Sequence, residues 1–226
     1  MKKKYLSLEF VIILIFLVIP PIFTPKIEEG AVIAGGGAFS IQILLQLLIA
    51  IFLHVQYVRF DESRSENGRK DGKINRKKRI FSGLAWWAIA LGLLMICEAA
   101  FMALSVVLKV QSVGVSSIPN GILPGMIFFL NLASGAFYEE AIYREFLPET
   151  LLSLIGKKKL EIPLELICVT LFALGHLYLG VMAVLNAFVC GIILRLCYKK
   201  SGGIWAGFCS HLIYNSIQAL FLLLSS

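Results

Sequence analysis

The feature that limits this chain most is a series of long apolar stretches at residues 5–23, 31–58, 80–108, 121–138, 162–178, 180–198 and 204–224, mostly separated by charged or Pro/Gly-containing joints. A helix of about 20 apolar residues crosses the roughly 30 Å hydrocarbon layer of a bilayer. Within lipid, only helices and closed barrels satisfy their own backbone hydrogen bonds. Seven helical spans are therefore expected, the fifth and sixth divided only by a turn around Gly180. Composition agrees: 58% hydrophobic and 15% charged residues, with a mean hydropathy of +0.85, exceed what one water-soluble core holds. The expected architecture is an all-α membrane protein, a polytopic bundle of about seven transmembrane helices forming one domain over residues 1–226.

Residues 2–4 are all lysine, so the first stretch has the basic start of a signal peptide. Its apolar part is longer than a signal core, and Pro20, Pro21, Pro25, Lys26, Glu28 and Glu29 mark a helix leaving for water, so an uncleaved span is expected. With the N-terminus in the cytoplasm, all of the 21 Lys and Arg residues except Lys26 and Lys109 fall on the cytoplasmic side, as the positive-inside rule requires. These basic residues lie between apolar stretches and form no aromatic-interleaved face, so the net charge of +7 does not point to a nucleic-acid partner. Membrane lipids are the expected surroundings. Cys97, Cys168, Cys190, Cys197 and Cys209 sit in or beside apolar stretches without metal-finger or disulfide-framework spacing, and are read as free thiols.

Ionisable groups inside spans are costly and mark function. Three clusters stand out within residues 139–215: Glu139-Glu140-Ala141-Ile142-Tyr143-Arg144-Glu145, then Phe172-Ala173-Leu174-Gly175-His176, then His211-Leu212-Ile213-Tyr214-Asn215. Residues four apart share a helix face, which places Glu140 over Arg144, Phe172 over His176 and His211 over Asn215. Carboxylates, imidazoles and a carboxamide converging in a dry bundle suit peptide hydrolysis, with Glu and His activating water and His and Asn donating to the oxyanion. Neighbouring Glu139 and Glu140 point about 100° apart on a helix, so one is expected to face the reacting groups and the other Arg144.

Glu-Glu-x-x-x-Arg, Phe-x-x-x-His and His-x-x-x-Asn, in this order on successive membrane helices, resemble the signature of the CPBP (CAAX-processing and bacteriocin-processing, or Abi) family of intramembrane proteases. The resemblance implies an all-helical fold around an intramembrane polar cavity open toward the cytoplasm. It also implies an endopeptidase in which Glu139 or Glu140 and His176 activate water, His211 and Asn215 hold the oxyanion, and Arg144 orients the carboxylates. Glu140, His176 and His211 are the candidates for zinc ligands if a metal is used, and a metal-free mechanism stays open beside it. No His-Glu-x-x-His motif is present. The Lys-rich N-terminus and short loops suggest a bacterial plasma membrane and a membrane-associated protein or peptide as substrate, not a prenylated CAAX protein.

Plainer readings stand next to these. Glu139 to Glu145 could be the solvated end of a helix, and the histidines could join helices by hydrogen bonds. A non-catalytic immunity or scaffold protein, or a small transporter, would use the same groups to bind or relay protons, although the chain shows no inverted repeat. His54, with no acidic partner at helical spacing, is expected at the membrane interface. Glu9 and Glu98 carry no motif.

Overall fold

The computed structural model describes residues 3–27, 32–33, 41–66, 76–110, 114–115 and 121–225. The elements are α1 (Lys3–Ile13), α2 (Ile41–Glu66), α3 (Arg76–Leu108), α4 (Ile122–Glu140), α5 (Leu147–Ile155), α6 (Glu161–Leu174), α7 (Val181–Ser201) and α8 (Ile204–Ser225). A two-residue parallel bridge, Val32–Ile33 with Gly114–Val115, is the only extended pairing among the described residues. The fold is all-helical, as expected.

Four described helices are long and apolar enough to cross a membrane: Lys4–Phe23, Phe81–Leu108, Ile122–Ile155 and Val181–Ser201; Ile43–Val58 is a shorter apolar helix. The expected count of seven is therefore not reached among the described residues. Side chains along these helices are turned outward in the way lipid selects. Ile122 is 86% exposed and Val106 78%, values that water would penalise and hydrocarbon does not.

Two departures from the expected spans matter for function. The fourth stretch does not stop at Tyr138: α4 runs through a π-helical turn, Ala141–Phe146, straight into α5, giving one helical rod over Ile122–Ile155. The acidic cluster lies inside this rod and not at an exit. The fifth stretch is shorter than expected, because α6 ends at Leu174 after 14 residues, about 21 Å of helix. The chain then tightens, with the Gly175 amide bonding the Leu171 carbonyl and the His176 amide the Ala173 carbonyl. Gly180, at φ +99°, completes the reversal into α7 in a backbone region that side-chain-bearing residues avoid.

α3 lies along α7 and α8, α6 along α7, and α2 along α4 and the π turn, so that α4, α6, α7 and α8 surround one polar interior. Near the acidic start of α6 and the basic end of α7 an ion cluster ties the bundle. Arg195 bonds Glu149 at 3.0 Å, Glu165 at 2.7 Å and the Arg144 carbonyl. The segment after α1 closes the other end, where the Ile27 amide bonds the Tyr178 carbonyl at 2.9 Å. All five cysteines are free, as read from their spacing.

Candidate active site

The π turn begins where the acidic pair ends, and wide turns of this kind occur often at functional sites. Glu140 is fully buried and Arg144 and Glu145 nearly so, at 0%, 1% and 2% exposure. A solvated helix end would leave these charges in water, so that reading does not hold for them. Glu140 Oε1 lies 3.4 Å from Arg144 Nε, the pair expected from the four-residue spacing, and 3.0 Å from His211 Nδ1 of α8. Burying such a group is tolerable because opposite charge and a donor face it; removing one partner of a buried pair typically costs about 3–5 kcal/mol.

Glu139 takes the other direction. It is about a third exposed, and its Oε2 lies 3.6 Å from His211 Nε2. The two carboxylates thus address the two nitrogens of one ring: Glu140 holds Nδ1 in the interior and Glu139 faces Nε2 from the wetter side. Of the two, Glu140 is the member turned to Arg144.

His176 lies in the turn after α6. Its Nδ1 is 3.0 Å from the Phe172 carbonyl; a carbonyl only accepts, so Nδ1 carries a proton and Nε2 is the nitrogen left for other partners. The Phe172 ring is the hub of the site. His176 packs on it at 4.8 Å, His211 lies at 6.5 Å, and the Arg144 guanidinium carbon stands 3.9 Å from its centroid. The Phe172–His176 pairing read from helical spacing is therefore real, although a turn and not a straight helix makes it. No ion pair joins His176 to a carboxylate among the described residues.

A cavity of about 160 Å³ opens beside these groups, lined by Phe172, His176, His211 and Asn215 and closed by apolar side chains of α3 and α7. Asn215 makes no side-chain hydrogen bond among the described residues, which leaves its amide for a ligand. Glu139, Glu140, Arg144 and His211 are thus in contact, and His176 and Asn215 join them through the cavity wall.

The zinc candidates do not form a ligand set. Glu140 Oε1 faces His211 and Arg144, His176 turns Nδ1 to the backbone, and no group of three His, Cys, Asp or Glu side chains among the described residues is placed to hold a metal ion. The residues present do not fit that role, and no step of the proposed reaction runs through a metal.

Several participants carried no readable signal. Gly207 of α8 lies one turn before His211, and a Cβ there would sit 2.8 Å from Glu140 Oε2; only glycine lets α8 approach this closely. His54, without an acidic partner at helical spacing, finds one on another helix: its Nδ1 lies 2.8 Å from Glu145 Oε2, contributed by the π turn 91 residues away. Glu9 accepts a hydrogen bond from Gln56 at 2.9 Å. Glu98 accepts from Tyr214 at 2.6 Å and Asn186 at 2.9 Å.

No curated protein and no solved structure matches the chain. Residues 121–217, the segment that holds all three polar motifs, match the model of the family described as type II CAAX prenyl endopeptidase Rce1-like, in line with the CPBP/CAAX protease resemblance of those motifs.

Proposed function

We propose that the protein hydrolyses a peptide bond of a membrane-associated protein or peptide by direct attack of water, with Glu139 as general base. The family match of residues 121–217 supports an intramembrane protease in general. The observation that carries the finer reading is the pair of carboxylates on His211: buried Glu140 fixes the ring through Nδ1, which leaves the more exposed Glu139, 3.6 Å from Nε2, to meet water and substrate.

Water held between Glu139 and the lone pair of His176 Nε2 gives a proton to Glu139 as its oxygen bonds the scissile carbonyl carbon. The carbonyl electron pair moves onto oxygen, where His211, protonated on Nε2, and the Asn215 amide donate hydrogen bonds. Collapse of this intermediate breaks the C–N bond, and Glu139 returns its proton to the departing amine. Arg144, 3.4 Å from Glu140, holds that carboxylate in place. The N-terminus lies in the cytoplasm, a reading supported by the separation of basic residues along the sequence, and the Lys-rich N-terminus and short loops support a bacterial plasma membrane.

The test is incubation of the purified protein in detergent with a fluorogenic peptide library, with products identified by mass. The reading predicts paired fragments whose masses sum to that of the peptide plus one water. Intact peptides after prolonged incubation with folded protein would instead favour a non-catalytic immunity or scaffold role for the same residues.

A further inference from the structure

The cavity has a second polar wall. Beyond the reacting groups it is lined by Asn186, Tyr214 and Gln218. Tyr214 donates to Glu98 at 2.6 Å and accepts from Asn186 at 3.1 Å and Gln218 at 2.8 Å. Asn186 gives its remaining N–H to Glu98, and its Oδ1 accepts from the thiols of Cys97 and Cys190, both at 3.3 Å. A phenol has one donor and two acceptor sites, and a carboxamide two of each. Tyr214 and Asn186 are therefore saturated from behind, and neither side chain has capacity left for a ligand.

Gln218 differs. Its Nε2 is fixed by Tyr214, and among the described residues it makes no other hydrogen bond, so one N–H and the carbonyl oxygen remain for the cavity. A donor and an acceptor on one planar group complement a peptide unit. His211, Asn215 and Gln218 follow at four- and three-residue spacing, which puts them on one stripe of α8. From His211 to Gln218 the helix rises by about 10 Å, the length of about three residues of extended chain.

Building on the proteolytic reading, we propose that Gln218, oriented by Tyr214 and Glu98, is a substrate-binding residue. It pairs with the backbone of an extended peptide about three residues from the bond cleaved at the His211 end of the cavity. Glu98 and Tyr214 are positioning residues that hold it. Gln218 lies just beyond the segment matched by the family model and Glu98 well before it, so this wall lies partly outside the shared domain.

The test uses the full chain carrying Glu139→Gln in detergent. The probe is an acetylated, fluorescein-labelled heptapeptide of alanine and leucine, singly N-methylated at each position in turn, with binding followed by anisotropy. Losing one backbone hydrogen bond is expected to weaken binding by about tenfold. At one position that loss should vanish when Gln218→Ala is added, and where the wild type cleaves the peptide, this position should lie three residues from the cut. Gln218→Met, of similar size and apolar, repeats the comparison if the alanine variant does not fold. Equal losses with and without the glutamine at every position, or no binding of any peptide, overturn the subsite. Coupling at one position together with no cleavage by the wild type leaves the subsite standing as a peptide-binding site and removes the proteolytic reading.

Discussion

Glu140 and Gly207 show how much one atom decides in this interior. Glu140 Oε2 is buried without a hydrogen-bond partner among the described residues, in a space that exists because Gly207 has no side chain. Gly207→Ala forces α8 away from α4 or displaces the carboxylate, and overpacking of this kind costs about 1–3 kcal/mol. We expect a lower unfolding temperature with loss of turnover; a variant as stable and as active as wild type would mean the contact is loose. Half-buried His54 and buried Glu145 form a second pair, 2.8 Å apart. Replacing His54 with Leu leaves a buried carboxylate unpaired, for a predicted loss of about 1–3 kcal/mol in denaturant unfolding. The polar residues of the site could be read from sequence because a charge inside an apolar stretch is conspicuous. Gly207 could not, since a glycine in a membrane helix has many other uses, and His54 could not because its partner comes from a distant helix.

At the scale of elements, the π turn Ala141–Phe146 and the ion cluster around Arg195 set the geometry. No composition or spacing marks a π turn, so the continuous rod from α4 to α5 was hidden behind the charges that seemed to end it. Deleting Ala141 closes this wide turn into a plain α-helix and puts Arg144 three instead of four residues after Glu140, about 1.5 Å less rise. The guanidinium then shifts against the carboxylate. Misplacement by about 1 Å can cost a hundredfold in rate, and we expect at least that loss in turnover with helicity by circular dichroism retained. Arg195→Ala strands Glu149 and the Arg144 carbonyl together and leaves Glu165 with Lys199 alone. Because both carboxylates keep partial access to water, about 3 kcal/mol is expected, at the low end for breaking a buried pair. The end of α6 was equally hidden: apolarity continues through Gly175 and Tyr178, and only backbone hydrogen bonds reveal the turn that brings His176 back onto Phe172.

For the molecule as a whole, apolar periodicity and basic-residue placement made membrane residence and the all-helical class legible in the sequence. Span count was less legible, because length and hydropathy cannot separate a full crossing from a shorter buried helix such as α6. The proposed orientation has its own check: with Lys70→Cys and Ser112→Cys introduced singly, a membrane-impermeant thiol reagent added outside intact cells should label only the second. The central claim is that the buried carboxylate and histidine set hydrolyses peptide bonds, with Glu139 as the base. Its most direct measurement is kcat of Glu139→Gln beside wild type at equal unfolding temperature. Loss of a general base predicts a fall of about 10²–10⁴-fold. A kcat within about threefold of wild type, in a variant equally folded, would contradict it.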